Sequence, residues 1–169
     1  KAAPNFQKEI LKVEHLTVKN NNGFDVVKDV SFCIRGGEIF AIAGVSGNGQ
    51  VEIADAIAGL CKVHSGKIYL NGKDITNESI RKRTLDGISY IPEDRHHYGL
   101  VMDFTLNDNI ALKDYFKEPF SKRGILQQKE FESYGEKLIK KYDVRSGQGG
   151  KTIVRSMSGG NQQKAIIAR

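Results

Sequence analysis

Residues 39–60 read IFAIAGVSGNGQVEIADAIAGL, and the fold turns on how they are organised. The apolar run Ile39-Phe40-Ala41-Ile42-Ala43 has the length expected of one buried strand in a parallel sheet. Gly44-Val45-Ser46-Gly47-Asn48-Gly49 follows, and a helical pattern starts at once, with Val51, Ala54 and Ala58 on one face and Ile53, Ile57 and Leu60 beside it. A strand, a glycine-rich loop and a helix in that order make a phosphate cradle. Glycines let backbone N–H groups converge on an anion, and the helix N-terminus adds the positive end of its dipole. Gly44 and Gly49 fit the spacing G-x-x-x-x-G-K-[ST]. Gln50 stands where the lysine belongs and Val51 where the Mg²⁺-binding hydroxyl belongs. The candidate phosphate contacts are therefore Gly44, Val45, Ser46, Gly47, Asn48, Gly49, Gln50, Val51 and Glu52.

The 169 residues suffice for one domain with a real core, or for part of a larger one. Hydrophobic content of 39% and charged content of 27% are those of a soluble globular chain. No apolar run approaches the ~18 residues of a membrane helix, and no signal peptide is recognisable. Cys33 and Cys61 have no metal-ligand spacing and read as reduced packing residues of a cytosolic protein. Net charge is +6, with small basic clusters at Arg81-Lys82-Arg83 and Lys140-Lys141. A nucleic acid or an anionic membrane surface could account for them, and so could an ordinary solvated surface, which is the plainer reading. No aromatic residues interleave with the basic clusters, which argues against a single-strand binding platform.

Along the chain, residues 1–9 read as a linker. Residues 10–18 alternate and then slip phase near His15, the pattern of a bulged or edge strand. Asn20-Asn21-Asn22-Gly23 signals a turn. Val30, Phe32 and Ile34 alternate with polar neighbours as in a half-exposed antiparallel strand, and Gly36-Gly37 turns the chain toward residue 39. After the first helix come a short strand through Ile68 and Leu70, an Asn71-Gly72 turn, a short helix over 78–85, and a strand over 88–91 stopped by Pro92. From Thr105 the pattern is helical. Thr105 and Asp108 have capping-box spacing. Phe131, Tyr134, Leu138 and Tyr142 mark one face of a helix over 127–141, and a glycine-rich loop fills 146–150.

The tail holds a second constellation, Ser158-Gly159-Gly160-Asn161-Gln162-Gln163-Lys164. Ser158 is placed to cap a helix that starts at the two glycines. Bare backbone at a helix start is again an anion site, here for a γ-phosphate. Alone it would read as an ordinary Ser/Gly helix start. Its position after a P-loop-like loop favours the functional reading.

With these motifs the chain resembles the nucleotide-binding domain of ABC transporters. Ser158-Gly159-Gly160-Asn161-Gln162 looks like their signature motif, and 88–93 like the strand entering their Q-loop, with Glu93 where a glutamine would stand. The resemblance is strongest to the second, C-terminal ATPase domain of the importers for nucleosides and ribose-type sugars. There Gly-Asn-Gly-Gln replaces the lysine loop and Pro-Glu-Asp-Arg occupies the Q-loop, and the 44–50 loop suggests the nucleoside branch. The implied fold is α/β: a P-loop core with an antiparallel β region over 10–93, a helical subdomain over 94–156, and the signature with the start of its helix over 157–169. The family's acidic strand, catalytic Glu and switch His would follow Arg169, so the resemblance implies a fragment truncated after the signature and inactive alone.

The family's domains pair head to tail, each ATP lying between one P-loop and the opposite signature. This chain is then expected to bind ATP weakly at a degenerate loop, through Gly44 to Glu52 and Glu93. Its signature residues Ser158, Gly159, Gly160, Asn161 and Gln162 are expected to complete the partner's ATP and Mg²⁺ site. Implied partners are a second nucleotide-binding domain, N-terminal in the same full-length chain, two permease subunits and a substrate-binding lipoprotein. No nucleic acid is implied, and the expected location is peripheral, at the cytoplasmic face of the plasma membrane. Phe24 is the aromatic candidate for stacking on adenine, against the plainer reading of a core residue flanking a turn. The rival readings are a soluble ABC protein acting on ribosomes or nucleic acid, a sugar importer, and an autonomous P-loop NTPase. The missing lysine and the intact signature argue against the last of these.

Overall fold

The structure, a computed structural model, describes residues 7–169, so residues 1–6 of the expected linker lie outside the described residues. The chain divides into two compact units, one running through Tyr90 and the other Ile91–Arg169.

The first unit is built on strand β1, Glu9–Lys19, paired antiparallel with β2, Asp25–Arg35. The intervening turn is closed by Asn20, whose side-chain carbonyl accepts from the backbone N–H groups of Asn22 and Phe24. Helix α1, Gln50–Ala58, follows and ends at Gly59 in the left-handed conformation. Then come β3, Val63–Leu70, the two-residue β4, Lys73–Asp74, and helix α2, Ile80–Leu85, whose first turn is capped by the Ser79 hydroxyl. The strand order is β2-β1-β3-β4, so β1 is central rather than at an edge.

The phase slip near His15 is a bulge that runs across three strands. His15 and Asp29 both adopt positive φ (49° and 52°), and the His15 ring lies 2.7 Å from the Asp29 carboxylate. On the other side Gly66 sits at φ 95°, where a Cβ would lie 2.4 Å from the His15 carbonyl oxygen. Only glycine fits there. The alternation read in the sequence survives on either side of the bulge. Val13, Leu16, Val18, Val27 and Ile68 point inward and pack with Ile53 and Ala56 of α1 and with Ile75.

Two expected strands are absent among the described residues. Residues 39–43 and 88–91 lie outside every strand, and Ile39 is 98% exposed. A parallel strand is stable only where flanking strands take up its backbone groups, and neither segment belongs to a strand pairing among the described residues. Local contacts hold them instead. Phe40 stacks on Phe32 of β2 with centroids 5.0 Å apart, and the Tyr90 hydroxyl donates to Asp55 on α1 at 2.6 Å. Two single-residue expectations also change. Phe24 is 69% exposed, not a core residue, because the Asn20 turn directs it outward, and Cys33 lies on the outer face of β2, exposed rather than packed.

The Arg81-Lys82-Arg83 cluster divides by function. Arg83 is 2% exposed and donates to the carbonyls of Ala56, Ile57, Thr76 and Glu78. A buried guanidinium thereby takes up the carbonyls at the α1 C-terminus, where a cation is also favoured by the helix dipole.

The second unit opens with a π-helical turn, Arg95–Gly99, headed by Asp94. Helix α3, Leu106–Ala111, begins at Thr105 with a complete capping box to Asp108. The hairpin β5, Ser121–Lys122, and β6, Ile125–Leu126, leads to helix α4, Gln128–Lys141. Short 3₁₀ turns lead to helix α5, Gly159–Ala168. Leu106, Ile110, Leu138, Val154 and Ile166 centre the core of this unit. Among the described residues no helix is long and apolar enough to cross a membrane.

Candidate functional site

The glycine-rich loop meets α1 as its sequence predicts. Gly49 occupies the N-cap position at φ 94°, and no side chain caps the first turn. The amides of Gln50, Val51 and Glu52 are therefore the donors that a helix start leaves unpaired, while the Asn48 N–H is used within the loop on the Val45 carbonyl. These donors fit a phosphate.

Gln50 changes the character of the cradle. Its side-chain amide donates to the Val45 carbonyl at 3.2 Å, and a Cβ added at Gly44 would lie 2.0 Å from Gln50 Nε2. The glutamine is folded onto the loop that begins at Gly44, and a neutral amide stands where an ammonium would reach a phosphate. The donor set does not fit a metal ion. Val51 offers no oxygen, and among the described residues no group of three His, Cys, Asp or Glu side chains converges. Glu52 adds a carboxylate to the first turn of α1. It can serve an anion only through its backbone N–H.

In the second unit the Q-loop-like segment and the signature are brought together. Pro92 is buried and Glu93 is exposed. The Asp94 carboxylate accepts from the backbone N–H groups of His96 and His97 and from the His97 ring. Those contacts, the His97 backbone N–H first, hold Asp94 at about 2. The turn so fixed delivers Arg95 and His96 to α5. The Arg95 guanidinium lies against Gly159, where a Cβ would be 2.9 Å from Nη2. His96 Nε2 is 3.1 Å from the Gln162 side-chain oxygen, and Arg95 Nε donates to the same oxygen at 3.4 Å.

Most side chains of the signature itself are engaged within the chain. Gln162, 4% exposed, donates to the Val154 carbonyl. Asn161 accepts from the Arg145 N–H and donates to the Ser158 hydroxyl. Lys164 donates to the Asp143 carbonyl and carboxylate, which pulls the Asp143 pKa down. Ser158 holds the N-cap position, but its hydroxyl makes no capping bond because it accepts from Asn161 instead. What α5 leaves open is its backbone: the first-turn amides at Gly159 and Gly160. Arg95 and His96 did not stand out as signature partners in the sequence. The available signal was Asp94 heading two consecutive histidines, an N-cap pattern that fixes the direction of the following turn.

Comparison with known proteins places these features. The profile of the ABC transporter family matches residues 27–169. The guanosine import ATP-binding protein NupO of Bacillus subtilis (strain 168) is 48% identical over 161 residues, which are 95% of this chain and 31% of that protein. The nucleoside import ATP-binding protein NupA of Lactococcus lactis subsp. cremoris (strain MG1363) is 47% identical over the whole chain, 33% of its own length. The ribose import ATP-binding protein RbsA of Clostridium tetani (strain Massachusetts / E88) is 39% identical over 95% of the chain and 30% of that protein. The chain thus spans about a third of the length of these curated relatives. Among solved structures, a dimeric ATP-binding cassette in a post-hydrolysis state with ADP and Pi superposes with a TM-score of 0.72 at 22% identity, covering 94% of this chain and 68% of that one. The fold is that of an ABC nucleotide-binding domain, mixed α/β with an antiparallel sheet.

Proposed function

We propose that this chain, which belongs to the ABC transporter family, is part of the ATP-binding subunit of a nucleoside importer. Its own phosphate loop holds ATP weakly, through backbone donors, and its signature completes an ATP and Mg²⁺ site on a second nucleotide-binding domain. The observation that carries this reading is the start of α5. There the side chains of Asn161, Gln162 and Lys164 are spent inside the chain, and only backbone amides beside a guanidinium remain for an anion. Such a start is suited to a phosphate presented from outside. On this reading Ser158, Gly159 and Gly160 make the contact, while Asn161 and Gln162 hold the helix start in place. Glu93 is exposed at the entry to the second unit.

The nucleoside assignment draws on the identities of 48% and 47% to guanosine and nucleoside import proteins, against 39% to a ribose import protein. The proposed partners are a second nucleotide-binding domain N-terminal in the full-length chain, two permease subunits and a substrate-binding lipoprotein. The assembly would lie on the cytoplasmic face of the plasma membrane. The domain boundaries proposed with it are 10–93, 94–156 and 157–169.

The test is Gly159→Asp in the full-length protein assembled with its permeases. The new carboxylate would occupy the anion position beside Arg95, so the chain should fold normally. ATPase activity and nucleoside uptake should fall by about 100-fold, the scale for losing a preorganised donor at a charged transition state. Near-normal ATPase activity would remove the signature from the account.

A further inference from the structure

The π-helical turn Arg95–Gly99 meets α5 along one line of the helix. Gly159, Gln162 and Ile166 stand three and four positions apart, so they share a face. At one end of that face a Cβ on Gly99 would lie 2.8 Å from Ile166 Cδ1, so the backbone of the turn rests directly on the helix. At the other end the Arg95 guanidinium lies against Gly159, and no carboxylate pairs with Arg95 among the described residues. Between the two is Gln162, which is buried.

The Gln162 amide is oriented by its own donor. Its Nε2 donates to the Val154 carbonyl at 3.1 Å, which directs Oε1 at the turn. Two nitrogens approach that oxygen, His96 Nε2 at 3.1 Å and Arg95 Nε at 3.4 Å. A guanidinium nitrogen is always a donor, but an imidazole nitrogen donates only when it carries the proton. The protonated nitrogen of His96 is therefore Nε2. That nitrogen also lies 3.2 Å from Arg95 Nε, and in this tautomer it cannot accept from it. Arg95 Nε is thereby given to Gln162, while Nη2 stays against Gly159. In the opposite tautomer His96 would take the Arg95 proton itself, and a lone pair would face the buried Gln162 oxygen, which is unfavourable.

We propose that His96 is a positioning residue: by donating from Nε2 to Gln162 it pins the turn to α5 and fixes the Arg95 guanidinium beside Gly159. This rests on the reading of the α5 start as the phosphate contact of a partner's ATP site. His96 itself touches no phosphate. It acts through Gln162 and Arg95, and the role requires an N–H at the Nε2 position rather than an aromatic ring.

The test separates the N–H from the ring, in the full-length protein assembled with its permeases. His96→Phe keeps the ring and removes the donor, whereas His96→Gln removes the ring and offers an amide N–H at a similar reach. His96 is exposed, so both variants should fold normally. ATPase activity should fall by about fivefold to tenfold in His96→Phe, the scale of one hydrogen bond, and stay within about twofold in His96→Gln. A packing role would reverse that order and overturn the proposal. Gly159→Asp, measured beside them, separates the two claims. If it abolishes ATPase activity while His96→Phe leaves it intact, His96 positions nothing and the signature reading stands. If Gly159→Asp leaves activity near normal, both fall. In this chain alone, ¹⁵N–¹H spectra of the histidine rings at about pH 8, where imidazoles are neutral, should show the His96 proton on Nε2. A proton on Nδ1 would overturn the proposal whatever the kinetics.

Discussion

At Gly49 and at Ser158 the chain enters a helix with no side-chain cap on the first turn, yet the surroundings of the two starts are opposite. Before α1 the loop folds in on itself, with Gln50 over Gly44 and bonded to Val45, so a neutral amide occupies the lysine position. Before α5 the neighbouring side chains are drawn away into internal bonds, and a guanidinium is brought against the first glycine. The same backbone device is therefore muted in one place and exposed in the other. Bare amides alone do not make a strong phosphate site. The charge beside them, and whether a local side chain occupies the space, decide how tightly an anion is held.

The largest way to break the comparison acts on the far end of α1. Arg83→Met would leave the carbonyls of Ala56, Ile57, Thr76 and Glu78 without their donor. A loss of about 3–5 kcal/mol in unfolding free energy is expected in urea melts, and Arg83→Lys should recover only a fraction, since one ammonium cannot reproduce the fork. A loss below about 1 kcal/mol would mean that α1 is held by its apolar face alone.

Next in size is Gln50→Lys, which would make the first start resemble the second by adding a cation. ATP binding should tighten by about tenfold or somewhat more, the value of one charge-assisted phosphate contact. Turnover by the isolated chain should remain absent, because Val51 still lacks the hydroxyl that places a metal. Measurable hydrolysis would show that the defect lies elsewhere than in these two positions.

Asp94 supplies the smallest effect and sharpens the other half of the comparison, since it fixes the turn that delivers Arg95. Its carboxyl is held at about 2, below its ordinary value near 4. A carboxylate lowered on folding stabilises fully above its unfolded pKa and loses that contribution as pH falls from about 4 to about 2. Asp94→Asn should flatten the stability profile in that window and leave it unchanged near neutral pH, apart from a small constant loss. An identical acid slope in the variant would assign the dependence to another carboxylate.

Local signals carried most of what was legible. The capping box at Thr105, the Asn20 turn and the glycine-led start of α1 are written in short stretches whose physics is complete within a few residues, and the phase slip at His15 showed locally although its bulge involves Asp29 and Gly66 on the neighbouring strands. The strands expected at 39–43 and 88–91 are different in kind. Their composition is right, but a parallel strand exists only through its neighbours, and composition does not supply them. Arg83 was hidden for the opposite reason. Among three consecutive basic residues, only the packing of α2 against α1 selects which one is buried. The contact of Arg95 with Gly159 spans more than sixty positions, and no local pattern announces a pairing at that distance.

Calorimetric titration of ATP into this chain, with and without Mg²⁺, bears most directly on the central claim. A phosphate held by backbone amides alone, with Gln50 for a lysine and Val51 for a hydroxyl, predicts weak binding that Mg²⁺ barely changes. Micromolar binding that depends on Mg²⁺ would contradict the account.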